Sequence, residues 1–200
     1  MPVRARTRYE RGYGVELDEF VREELARHDW AALRCGCGDT ADHLPLLFES
    51  ILTAETPAQL RGYSLVGHVE WDNELFACTP AAVGVIVCAL SARCGPFGRP
   101  GFPGELSAHA REELLGTLWS IVTSEFVPAE PAGIEERIRE AVVEGFWPLV
   151  RIGLVGRAPE AETVLEIFRY LGLDGERTAH YRRQLEARVA ARGRHWKSRT

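Results

Sequence analysis

The chain has 200 residues, of which 46% are hydrophobic and 26% charged, and a formal net charge of −5. That length supports one substantial core, and that composition excludes disorder over most of the chain. The acid excess argues against a protein that coats nucleic acid, and no apolar run approaches the roughly 20 residues that span a bilayer.

A basic leader, residues 1–15, carries Arg4, Arg6, Arg8 and Arg11 with no apolar stretch behind it, so no secretory signal is expected and the chain reads as cytoplasmic. A single helical domain is expected over 16–192, with a basic tail over 193–200. Leu17, Phe20, Val21 and Leu25 fall on one face at helical spacing. Leu44, Leu47, Phe48, Ile51 and Leu52 form a second stripe, with Asp39 to Asp42 supplying caps. Thr56-Pro57-Ala58-Gln59 carries a capping hydroxyl, a proline where no amide partner is lost, and a Gln placed to close a capping box. A helix start is therefore expected at Thr56, pairing with the stripe before it. Thr79-Pro80 repeats the first two of these features and opens Ala81 to Leu90, which is apolar all round and reads as a buried central helix.

Gly95 to Gly104 alternates Gly and Pro and predicts an exposed loop; its prolines interrupt the run of amide donors that a phosphate cradle requires. A long stripe from Leu106 to Val122 follows, then one from Ile134 to Phe146 that Pro148 is expected to break or kink. Val164, Leu165, Phe168 and Leu171 mark one further helix and Tyr181, Leu185 and Val189 another, with Gly172 to Gly175 as the turn between them. No alternating strand pattern stands out. The expected fold is all-α, either a HEAT-like α-solenoid or a compact antiparallel array of about seven to eight helices.

Trp30-Ala31-Ala32-Leu33-Arg34-Cys35-Gly36-Cys37-Gly38, His43-Leu44-Pro45-Leu46-Leu47, Glu74 to Val83, and Glu140 to Leu149 together resemble a group of bacterial, actinomycete-type HEAT-repeat proteins. The resemblance runs from about Trp30 to Leu171. Members of that group usually carry a His-Gln pair before the helix start, where this chain has Trp71-Asp72-Asn73. The resemblance implies stacked helix pairs serving as a recognition surface, hence a protein partner, with an immunity-like inhibitor or an adaptor as concrete forms.

Four groups of residues bear on chemistry. His68, Glu70, Trp71, Asp72, Glu74 and Phe76 form the densest polar and aromatic cluster, suited to binding a basic protein partner. An alternative uses His68, Asp72 and Glu74 as an acid/base site, although nothing in their spacing brings them together. Arg177, Arg182, Arg183, Arg188 and Arg192 line a basic final helix that offers a second alternative, a nucleic-acid grip like that of helical-repeat DNA glycosylases. Cys35-Gly36-Cys37 with Asp39 and His43 has metal-capable side chains, yet lacks the wider C-x₂₋₄-C spacing and the second ligand pair of known structural zinc sites. The reading therefore assigns no metal, no cofactor and no catalytic residue. The five cysteines, odd in number and irregularly spaced, are expected to be reduced thiols.

Overall fold

The computed structural model describes residues 17–92, 106–124, 133–173 and 175–197, the last with side chains as far as residue 191. The basic leader, Cys94, the Gly95 to Gly104 loop and the Arg192 side chain lie outside them. Among the described residues the fold is all-α: α1 (Glu19–Ala26), α2 (Leu44–Thr53), α3 (Thr79–Ala92), α4 (Ala108–Thr123), α5 (Ile134–Glu144), α6 (Phe146–Val155), α7 (Ala158–Tyr170) and α8 (Glu176–Lys197). The last helix thus continues through the first part of the segment expected as a tail. No helix there is long and apolar enough to cross a membrane.

The array is compact. α3 sits at its centre, packed by α1, α4, α5 and α6, while α7 lies against α4, α6 and α8. Its all-round apolar sequence is explained by that position: Ala82, Val83, Val85, Ile86 and Ala89 are all fully buried. Asp18 caps α1 through the Phe20 N–H at 2.9 Å. Ser107 caps α4, its hydroxyl accepting from the Ala110 N–H at 3.1 Å and donating to the Ala54 carbonyl at 2.6 Å, which fixes the start of α4 to the end of α2. Glu160, buried in the first turn of α7, accepts from Arg111 Nε of α4 at 2.5 Å and from the Arg157 N–H, so its charge is paired.

Four expectations need correction. Asp39 to Asp42 give α2 no cap: its N-cap is His43, with no side-chain bond to the helix amides. The capping signal at Thr56 forms its contacts, since Gln59 Oε1 accepts from the Thr56 N–H at 2.8 Å and the Thr56 hydroxyl at 3.0 Å. No helix follows, however, and residues 56–62 are successive turns. They are almost wholly exposed and end at Gly62 in the left-handed region (φ 85°), so no apolar face offsets the cost of nucleating a helix. The break after α5 falls at Gly145, and Pro148 lies in the first turn of α6, where a missing amide costs nothing. A small antiparallel hairpin also appears, pairing β1 (Glu70–Trp71) with β2 (Glu74–Leu75).

Asp72 (φ 52°) and Asn73 (φ 65°) make the hairpin's two-residue turn, both in the left-handed conformation that short polar side chains tolerate best. Its base is fixed from two sides. The buried Glu70 carboxylate accepts from the Asn73 N–H at 3.0 Å and from the Ser120 hydroxyl of α4 at 2.7 Å. The Thr79 hydroxyl accepts from the Phe76 N–H at 2.9 Å and donates to the Val69 carbonyl at 2.5 Å. The helix start at Thr79 is therefore also the clasp of the hairpin.

Candidate metal centre

Between α1 and α2 the chain makes a tight knuckle. Trp30 anchors its approach by donating from Nε1 to the Leu25 carbonyl at 2.7 Å. Arg34 and Thr40 then pair in an isolated antiparallel bridge. The Cys35 N–H donates to the Asp39 carbonyl at 2.9 Å and the Gly38 N–H to the Cys35 carbonyl at 3.1 Å, which folds Cys35-Gly36-Cys37 across the tip. His43 follows where the knuckle runs into α2, two residues after Ala41 closes back on Leu33.

A distant segment completes the arrangement. The turn at Leu65 to Val69, closed by the His68 and Val69 N–H groups on the Leu65 carbonyl, presents His68 to the knuckle. The Gly36 N–H donates to the His68 carbonyl at 2.7 Å, so the two backbones are in direct contact. Only glycine fits there: a Cβ on residue 36 would lie 2.6 Å from the Phe76 ring, 2.8 Å from the Gly67 carbonyl oxygen and 3.0 Å from that of His68.

Four side chains converge as a result. Cys35 Sγ lies 3.2 Å from Cys37 Sγ, 3.4 Å from His68 Nδ1 and 3.7 Å from His43 Nε2. His43 Nε2 is 3.0 Å from His68 Nδ1 and 4.0 Å from Cys37 Sγ, and all four donor atoms fall within 4.8 Å of one another. A tetrahedral zinc ion with bonds of about 2.3 Å to sulfur and about 2.0 Å to nitrogen needs donor separations of roughly 3.3 to 3.8 Å. Five of the six edges, 3.0 to 4.0 Å, scatter around that range, and the sixth, from Cys37 to His68, is within 4.8 Å. The sulfurs are too far apart for a disulfide, whose bond is about 2.05 Å.

Burial keeps the His68 imidazole in its neutral, ligating form and the Cys35 thiol in its neutral form, from which metal binding must release the proton. Burial lowers the pKa of His68, and the adjacent His43 lowers it further, so its imidazole keeps a free lone pair into more acidic solution. Burial pushes the Cys35 thiol up to about 11, and the fully buried Cys78 thiol, whose Sγ lies 3.6 Å from the His68 carbonyl, is raised as well. The other ring nitrogen of His43 faces the Asp42 carboxylate at 3.8 Å, on the side where metal-bound histidines commonly find a carboxylate.

The structure distributes the remaining candidate residues differently. His68 faces the thiols, while Trp71, Asp72 and Glu74 are exposed on the hairpin and Glu70 and Phe76 are buried beneath it. His68, Asp72 and Glu74 line neither the cleft between α1, α3 and α5 nor the one beside Pro57 and Glu113. On α8, Arg177 stacks over the Trp147 ring at 5.3 Å and Arg188 donates to the Gly156 carbonyl at the end of α6, while Arg183 is exposed and Arg182 partly buried. Asp39 serves the knuckle through its backbone carbonyl. Sequence reasoning missed that His68 is the partner of Cys35, Cys37 and His43; it lies 25 residues beyond His43 and belongs to no local motif. Comparison with known protein families, with characterised proteins and with solved structures returns no match.

Proposed function

We propose that this protein is a non-enzymatic helical module that binds one zinc ion through Cys35, Cys37, His43 and His68. The observation that carries the reading is the convergence of two sulfurs and two imidazole nitrogens within 4.8 Å, from two segments held together by their own backbones. Two thiolates with two imidazoles suit zinc better than the hard cations that prefer oxygen. With four protein donors the shell is closed, leaving no coordination position for an activated water, so the metal acts as a cross-link. Protein purified without chelator is expected to carry about one zinc per chain and, after exchange, to show the visible d–d absorption of tetrahedral cobalt. A preparation from zinc-supplemented cells that holds well under half an equivalent would sink the reading.

A second reading concerns what the module presents. Trp71 is 62% exposed on a hairpin fixed at its base by Glu70 and Thr79, with Asp72 and Glu74 exposed beside it. A rigid exposed Trp rimmed by carboxylates suits a basic protein surface, in keeping with the recognition role that the helical-repeat resemblance implies. For a stoichiometric protein partner recovered on the wild-type chain, Trp71→Ala is expected to cost about 2 kcal/mol of affinity while leaving fold stability within about 0.5 kcal/mol. Unchanged affinity in a titration would remove the hairpin from the interface.

A further inference from the structure

Cys37 is the one exposed residue of the four, whereas Cys35 is 1% exposed and directly behind it, with only 3.2 Å between the sulfurs. That separation is about 1.2 Å beyond a disulfide bond, so a change in side-chain torsion joins the pair without separating the strands of the knuckle. The remaining cysteines among the described residues are placed less well for this chemistry. Cys78 is fully buried and Cys88 lies partly buried on the central helix. Reactive thiols combine accessibility with a resolving partner, and here both belong to the metal-binding set.

We infer that Cys35 and Cys37 form a peroxide-sensitive thiol pair whose oxidation to a disulfide expels the zinc, so that the centre reports oxidant as well as cross-linking the fold; this rests on the zinc reading above. In the first step Cys37 Sγ attacks a peroxide oxygen, the O–O bond breaks, and hydroxide leaves a sulfenic acid on Cys37. Cys35 Sγ then attacks the Cys37 sulfur, the S–S bond forms, and the S–O bond breaks to release a second hydroxide. Two protons from solvent convert the hydroxides to water. Two thiolates and one hydrogen peroxide thus become one disulfide and two waters, with both electrons passing from sulfur to peroxide. His43 and His68 remain as the only donors, too few to retain the ion. The knuckle then keeps its backbone bond from Gly36 to His68 but loses the metal bridge between the same segments.

Trypsin distinguishes this pair from every other one. Cys35 and Cys37 share the peptide Cys35–Arg61, Cys78 and Cys88 share Gly62–Arg93, and Cys94 lies beyond that. The test treats zinc-loaded protein with about a tenfold excess of hydrogen peroxide, follows released metal with a zinc chromophore, and maps the peptides after alkylation without reduction. The expected result is loss of most of the zinc, from about one to below about 0.2 per chain, with Cys35–Arg61 unalkylated and lighter by two hydrogens, and recovery on adding dithiol and zinc. Protein that holds zinc and keeps it under peroxide overturns the switch while leaving the zinc reading intact. So does zinc loss with Cys35–Arg61 still alkylated at both thiols, or with that peptide joined to Gly62–Arg93. Protein that carries no zinc before peroxide overturns both.

Discussion

His68→Ala is expected to lower the melting temperature of the zinc-loaded protein by about 10 °C. His68 supplies one of four donors and comes from a segment otherwise tied to the knuckle by the Gly36 hydrogen bond. A site with free zinc at about a thousand times its dissociation constant stabilises the folded state by about 4 kcal/mol. For a 200-residue chain each kcal/mol is worth roughly 2–4 °C. Removing one donor forfeits most of that sum, and the loss of ring packing at a half-buried site adds little. Chelator sharpens the test, because it should bring the wild type down to the variant's melting temperature and leave the variant unchanged. Were the four side chains only a hydrogen-bonded cluster, chelator would move neither melt, and the variant would lose no more than about 1–2 kcal/mol for the broken bonds.

The helices were readable where an apolar stripe ran for two or more turns. The stripes Val21 and Leu25, and Leu114, Leu118 and Ile121, announced α1 and α4, and the structure adds the caps Asp18 and Ser107 at their starts. Thr56 had the cap without the stripe, and the cap alone produced turns. The hairpin was hidden for a different reason. Strands of two residues are too short to show alternation, and their order comes from Glu70 reaching Ser120 and Thr79 reaching Val69, contacts that no local pattern encodes.

The metal centre divides along the same line. Cys35, Cys37 and His43 lie within nine positions and stood out as metal-capable, but a structural site needs a further donor, and the chain nearby has none that the fold uses. Asp39 was the obvious local choice, but its carboxylate is not among the converging donors. His68 reads in sequence as part of a partner-binding cluster, because its neighbours Glu70, Trp71, Asp72 and Glu74 are polar or aromatic. Closure of the Leu65 to Val69 turn directs it the other way. The one local hint was Gly36 itself: a glycine between two cysteines leaves room for a second backbone, and that backbone is residue 68's.

Gly36→Ala therefore tests the closure of the centre without touching a donor atom. The added methyl would sit 2.8 Å and 3.0 Å from the carbonyl oxygens of Gly67 and His68, and 2.6 Å from the Phe76 ring. Phe76 is 4% exposed, so its ring has little room to retreat, and carbonyl oxygens in a closed turn retreat only with their backbone. Relief requires the knuckle to lift from the His68 segment, which breaks the 2.7 Å Gly36 to His68 hydrogen bond and spreads the donors. Overpacking of this kind typically costs 1–3 kcal/mol, and with the lost bond the expected destabilisation is about 3 kcal/mol, or roughly 6–12 °C. Zinc affinity should fall at least about tenfold although Cys35, Cys37, His43 and His68 are all present, because spreading the donors by a few tenths of an ångström costs about 1.4 kcal/mol or more of binding. Competition against a chelator of known affinity measures that fall. Gly38→Ala is the control: a Cβ there meets nothing within 4 Å, so its cost is the left-handed backbone (φ 93°) alone, and zinc affinity should hold. Equal affinities in the wild type and Gly36→Ala would mean that the contact between the two segments does not set the geometry of the site.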